Sequence, residues 1–201
     1  MKLRTPVLMD QEERFMTVAL VGNPNSGKST VFNALTRLRQ KVGNYPGVTV
    51  EKRLGRMVLP DGKAVNVLDL PGTYSLSVRS PDEQVVRDVL LGHMNATTRP
   101  DVVICVVDAG NIERNLYLVS QVHDLGLPVI VALNMMDELD KVGRRIDVPR
   151  LAAALRCPVV PMVASREQGV EALKTLLAQG VSFSPERAWQ MPAAMDHEIE
   201  I

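Results

Sequence analysis

Surplus charge is absent from these 201 residues: 23 basic and 23 acidic side chains leave a formal net charge of zero. A general nucleic-acid binder draws its affinity from neutralising phosphates with a basic excess, and there is none to spend. Cysteine is scarce. Cys105 and Cys157 stand far apart, each in an apolar run, without metal-type spacing. They read as buried free thiols in a reducing compartment. Long apolar runs are missing too. The longest, over 102–107 and 129–133, are strand-sized, whereas a helix needs roughly 20 residues to span a bilayer. The opening stretch MKLRTPVLMDQEERF has no extended apolar segment of the signal-peptide kind. The chain as given therefore reads as soluble and cytoplasmic in character. It contains neither internal repeats nor a low-complexity tract.

What is present is a hydrophobic fraction of 46%, enough for a true core in one domain with a small appendage. Apolar, strand-like runs alternate with helical patterns. Strands are expected over 15–21, 50–59, 64–68, 101–107, 128–133 and 158–163, and helices over 28–38, 82–93, 112–125, 148–155 and 170–177. The turn PDGK joins the second and third strands into a hairpin that supplies an antiparallel edge. This order implies an α/β fold, a mostly parallel sheet of six to seven strands with helices on both faces. A domain over 14–180 is expected. Beyond it, 181–201 changes composition, with two prolines and the sole tryptophan, and its last residues resemble a helix cut off in mid-pattern.

The stretch Gly22-Asn23-Pro24-Asn25-Ser26-Gly27-Lys28-Ser29 fits G-x-x-x-x-G-K-S/T between a strand and a helix. Glycines let backbone N–H groups curl around an anion, and the helix over 28–38, with Thr30 in its first turn, adds its dipole. Lys28 reaches toward the β and γ phosphates of a nucleotide, and the Ser29 hydroxyl is a Mg²⁺ ligand. The competing explanation is a chance glycine-rich turn. Base choice comes from LNMMDELD. Asn134 and Asp137 follow an apolar strand at its carboxyl end, where ligands of open α/β sheets bind. A carboxylate there accepts hydrogen bonds from the N1–H and 2-amino groups of guanine, which adenine cannot offer. A plain helix cap would also explain these residues. They resemble the N-K-x-D element of Ras-like and translation-factor GTPases, with Met135 in the lysine position, a change expected to loosen nucleotide binding. Farther on, Val163, Ala164 and Ser165 occupy the place of the S-A-K element, so the Ala164 N–H is expected to meet guanine O6.

NVLDLPGTYSL supplies D-x-x-G: Asp69 to hold Mg²⁺ through a water, Gly72 to sense the γ-phosphate. The connection RQKVGNYPGVTVE is polar and long, as a mobile switch loop requires. Within it Gly47, Val48 and Thr49 face the nucleotide, and Thr49 is the natural Mg²⁺ ligand of the GTP state. Lys28, Thr49 and Gly72 are the candidate catalytic groups. Thr73 stands where Ras-type enzymes carry the glutamine that orients the attacking water, and no arginine is placed in cis by the sequence. Intrinsic hydrolysis should be slow.

Over 15–177 the segments GNPNSGKST, VGNYPGVTVE, DLPGTYSL, NMMD and CPVVPMVASREQGVEAL resemble the cytosolic G domain of the ferrous iron transport protein B family (FeoB). The resemblance implies a P-loop GTPase using GTP and Mg²⁺. It further implies K⁺ activation through Asn25, the cation doing the work of an arginine finger and compensating for Thr73; otherwise Asn25 only stabilises its loop. It implies that 181–201 begins a helical spacer leading to a transmembrane iron permease on the inner membrane of a bacterium, with small accessory iron-transport proteins as possible partners and no nucleic acid. The histidines His93, His123 and His197 form no iron-binding cluster. Two other classes compete: a K⁺-dependent ribosome-assembly or tRNA-modification GTPase, and a nucleotide-binding module with negligible hydrolysis.

Overall fold

The computed structural model describes residues 15–95 and 97–181. Of the spacer segment expected over 181–201, all but the first residue lies outside the described residues. Seven strands form one sheet: β1 (Thr17–Gly22), β2 (Gln40–Asn44), β3 (Glu51–Val58), β4 (Ala64–Asp69), β5 (Val102–Asp108), β6 (Val129–Asn134) and β7 (Val159–Pro161). Their spatial order is β2-β3-β4-β1-β5-β6-β7. The run from β4 through β7 is parallel, while β3 is antiparallel to both β4 and β2. The helices are α1 (Lys28–Thr36), α2 (Pro81–Leu91), α3 (Ile112–Asp124), α4 (Met136–Lys141), α5 (Val148–Leu155) and α6 (Val170–Gln179).

Period-two alternation along the buried strands sorts the core into two layers. Val18 and Leu20 pack with Val31, Phe32 and Leu35 of α1 and with Leu173 and Leu177 of α6. Ala19 and Val21 face the other way, onto Val86 and Val89 of α2 and Leu118 and Val122 of α3. Cys105 and Cys157 are both buried free thiols, as expected. Gly55 in β3 marks a close approach: a Cβ there would stand 2.3 Å from Thr36 Cγ2 and 3.0 Å from Phe32 Cζ of α1.

Local chemistry fixes the element ends. Ser80 Oγ accepts from the Glu83 N–H at 3.3 Å, Pro81 takes the first helical position, and Gly92 closes α2 in the left-handed region. The hairpin turn closes through the Leu59 N–H on Lys63 O at 2.9 Å.

Three expectations need correction. The hairpin is not the sheet edge: β2 pairs outside β3, and its five side chains are all exposed. The front of the expected mobile loop is therefore a strand, invisible to periodicity because no face of it is buried. Helix α4, with six residues, was not expected, being too short to show a 3.6-residue pattern. Strand β7 keeps three residues rather than six, because the chain turns away after Pro161 to form the Val163 loop.

Candidate functional site

The carboxyl ends of β1, β4 and β6 deliver Gly22, Asp69 and Asn134 to one edge of the sheet. From Gly22 the loop turns through Asn25 (φ 67°) and Gly27 (φ 82°) into α1. Gly27 has no room for a side chain: a Cβ would lie 2.3 Å from Asn134 Nδ2. A cavity of about 440 Å³ opens over this loop, lined by Asn23, Pro24, Asn25, Gly27, Lys28, Ser29, Thr30 and Gly72. A second of about 320 Å³ continues it past Lys28 and Ser29 to Asp69, Gly72, Glu51, Arg53 and Asp82.

Lys28 Nζ donates to Asp69 Oδ1 in a largely buried ion pair. The two groups assigned to phosphate and to Mg²⁺ thus neutralise each other here. The side chains of Asn23 and Ser26 are buried with their polar atoms unpartnered. Orphaned polar atoms around a backbone N–H cradle fit an anionic ligand and its cation. Asn25 is exposed at the cavity.

Asn134 does more than face a base. Its Nδ2 donates to Ser26 O at 3.1 Å, and its Oδ1 accepts the Ala164 N–H at 3.0 Å. One buried side chain ties the phosphate loop to the Val163–Ser165 loop. The Ala164 N–H, expected to meet guanine O6, is directed to Asn134 in this structure. Met135 holds a left-handed backbone (φ 63°), and its Cε is 3.3 Å from where a Gly27 Cβ would be. The methyl end of Met135 thus lies beside the open side of Gly27 in the phosphate loop. Asp137 opens α4 and is approached by Arg166 Nη2 at 3.6 Å.

The loop expected to act as the first switch reaches these two cavities only at Val50 and Glu51. Gly47, Val48 and Thr49 are exposed in the turn after β2, and Thr49 lines neither cavity. Tyr45 and Val50 on either side are buried, joined by the Tyr45 N–H on Val50 O at 3.0 Å. Thr73 is not a water-orienting group but a tether. It is buried, its N–H donates to Gly22 O at 3.1 Å, and its hydroxyl donates to Ser75 O at 2.7 Å.

Sequence reading missed Arg53, which the β3–β4 register sets opposite Asp69 and which pairs with Glu51 at the second cavity. It missed Gln121, whose Oε1 accepts the Leu76 N–H at 2.9 Å and anchors the second switch to α3. Arg114 stacks on Tyr74 of that switch, 4.1 Å from the ring centre. Apart from Glu51, these partners lie well along the chain from one another, so no local pattern announces them. Among the described residues no group of three or more His, Cys, Asp or Glu could hold a metal ion, and no helix is long and apolar enough to cross a membrane.

A family model described as ferrous iron transport protein B matches residues 16–177. The Fe(2+) transporter FeoB of Salmonella typhimurium is 52% identical over 163 residues, 79% of this chain and 20% of that protein. The counterpart in Escherichia coli K12 is 50% identical over the same shares. The chain thus spans about a fifth of the length of the curated relatives it matches. Among solved structures, an S. thermophilus NFeoB mutant bound to mGDP superposes with a TM-score of 0.81 at 40% identity, covering 92% of this chain and 69% of that one. The cytosolic domain of L. pneumophila FeoB gives 0.79 at 42% identity, covering 90% and 70%. The FeoB G-domain of Methanococcus jannaschii gives 0.71 at 40%, covering 83% and 97%.

Proposed function

This chain belongs to the ferrous iron transport protein B family as its GTP-binding G domain, and from that premise we propose that it is a slow, K⁺-stimulated GTPase whose cycle regulates or energises Fe²⁺ uptake by a membrane-embedded permease. The observation that carries the nucleotide site is the meeting of Lys28 with Asp69 across the mouth of the phosphate-loop cavity. Backbone N–H groups over 22–29 bind the phosphates, and Lys28 leaves Asp69 to join them. Ser29 and Asp69, with Thr49 once its turn closes, are the residues for Mg²⁺, and Asn25 is the residue for K⁺. The cations supply positive charge against that developing between the β and γ phosphates. Asp137 selects guanine, Asn134 holds the phosphate loop to the Val163–Ser165 loop on the base side, and Gly72 offers its N–H to the γ-phosphate. An exposed Thr49 turn beside the phosphate loop suits a switch that orders with GTP and relaxes after hydrolysis.

The site belongs at the cytoplasmic face of the inner membrane, with the permease portion of the full-length protein as its partner and small accessory iron-transport proteins as further candidates. A ribosome-assembly or tRNA-modification role finds no support among the relatives reported above. The test is GTP hydrolysis in KCl against NaCl at equal ionic strength, for wild type and Asn25→Ala. Stimulation by K⁺ that disappears in the variant is the expected result. Equal rates in both salts refute the K⁺ mechanism.

A further inference from the structure

The end of α1 remote from the phosphate loop carries a concentration of positive charge that the neutral total of the chain conceals. Arg37, Arg39, Arg56 and Lys174 line one cavity of about 300 Å³, with Glu171 as the one carboxylate of that lining. Lys174 is largely buried and donates to Glu171 at 2.8 Å, which leaves the three exposed arginines as the surplus. Backbone ties hold them together: the Arg39 N–H donates to Thr36 O at 3.0 Å, and the Arg56 N–H to Arg39 O at 3.3 Å. Apolar side chains stand among them. Leu38, between two of the arginines, is 68% exposed, and Val58, on the cavity wall, is 56% exposed. Arg37 (φ 50°) and Leu38 (φ 62°) are both held in the left-handed region, which residues with a Cβ adopt at a cost. Glycine is the usual residue for such a helix end. Strain spent on presenting a leucine to water points to a surface that something covers.

Charge sets what covers it. Residues 37–42, Arg-Leu-Arg-Gln-Lys-Val, hold three cations and no acid. Cations interleaved with exposed aliphatic side chains match a bilayer surface with anionic headgroups, where the charges meet phosphates and the leucine enters the headgroup boundary. The nucleotide cavity stays open in that arrangement, since it lies at the other end of α1, roughly 13 Å away along the helix. We propose that the Arg37–Leu38–Arg39 turn, with Arg56 and Val58, is a docking surface for the anionic phosphate headgroups of a membrane. The inference rests on the reading of this chain as the G domain of a membrane-embedded transporter, and it gives the domain a fixed side toward the bilayer. Strand β2 then runs directly from the docked turn to Tyr45 and the Thr49 turn beyond it.

The test is flotation of the whole chain at low salt with vesicles of phosphatidylcholine alone or of phosphatidylcholine mixed with phosphatidylglycerol. Binding is expected only to the anionic vesicles and should fade as salt is added. Arg37→Ala, Arg39→Ala and Arg56→Ala should each lower the partitioning roughly fivefold. Arg37→Glu combined with Arg39→Glu should abolish it, with the thermal midpoint and the vesicle-free GTP hydrolysis rate unchanged, because both side chains are exposed and line neither nucleotide cavity. Contact is read separately from an environment-sensitive dye on Leu38→Cys, since Cys105 and Cys157 are buried. Its emission should shift to the blue on anionic vesicles, and the same dye on Tyr117→Cys, an exposed position of α3, should not respond. No binding, equal binding to both vesicle types, or binding that survives the double charge reversal overturns the proposal. So does self-association of the chain that these substitutions abolish, which would give the surface to a second copy. A chain that fails on vesicles yet hydrolyses GTP sinks the docking surface and leaves the G-domain reading standing. Failure of the wild-type chain to bind GTP would instead strike the reading beneath it.

Discussion

Replacing Asn134 by alanine should unsettle the protein before any nucleotide arrives. The side chain is 3% exposed and makes two buried hydrogen bonds, to Ser26 O at 3.1 Å and from Ala164 N at 3.0 Å. Truncation leaves a backbone carbonyl and a backbone N–H without partners. Each such group costs roughly 1–3 kcal/mol, and water reaching the carbonyl brings the sum to about 3 kcal/mol. For a domain of this size 1 kcal/mol moves the midpoint by roughly 2–4 °C, so Asn134→Ala should melt roughly 6–12 °C lower in nucleotide-free buffer. Guanine affinity should fall as well, because the phosphate loop and the Val163–Ser165 loop lose their common tie. Asp137→Ala is the control. It gives up only a partly exposed 3.6 Å ion pair with Arg166, so its midpoint should stay within about 1 kcal/mol of wild type while guanine discrimination is lost. Differential scanning fluorimetry without nucleotide, followed by titration with GDP and ADP, separates the two. A midpoint for Asn134→Ala within about 2 °C of wild type, on the same scale, would refute the tie.

Two further outcomes follow from the packing. Gly55→Ala drives a Cβ to 2.3 Å from Thr36 Cγ2 and should cost about 1–3 kcal/mol; adding Thr36→Ser removes that methyl, keeps a hydroxyl for the Phe32 carbonyl, and should restore part of the loss in urea melts. Cys105 and Cys157, both buried with thiols pushed upward by desolvation, Cys157 to about 11, should resist a thiol-specific disulfide reagent at pH 8 until the chain unfolds. Because the folded value of Cys157 lies above its ordinary 9.0, the stabilisation from its neutral form is whole below pH 9.0 and fades as pH rises through about 11. A midpoint flat across that window would contradict this.

The sequence carried the parts of this molecule whose cause is local. Buried parallel strands announce themselves as continuous apolar runs, as at Val102–Asp108 and Val129–Asn134, and the phosphate loop shows itself through glycine spacing. Strand β2 did not, since a strand with no buried side leaves no alternation to find. The second role of Asn134 was hidden for another reason: its partners lie 108 and 30 residues away. Only folding brings them together. Met135 was read as a missing lysine, and its place beside Gly27 goes with a left-handed backbone that its own residue type does not suggest.

The exposed strand β2 has a consequence for local opening. Its five residues join the sheet through backbone hydrogen bonds with β3 and bury no side chain. Detaching it exposes almost no apolar surface, so the work of opening is small and does not spread into the core. Hydrogen exchange at amides 40–44 then reports a sub-global fluctuation, uncoupled from the slow exchange of β1 and β5. The anchor limiting that fluctuation is Tyr45, the first buried residue beyond the strand. The segment that carries the Thr49 turn is in this sense a short ribbon whose first buried attachment to the core is a single aromatic.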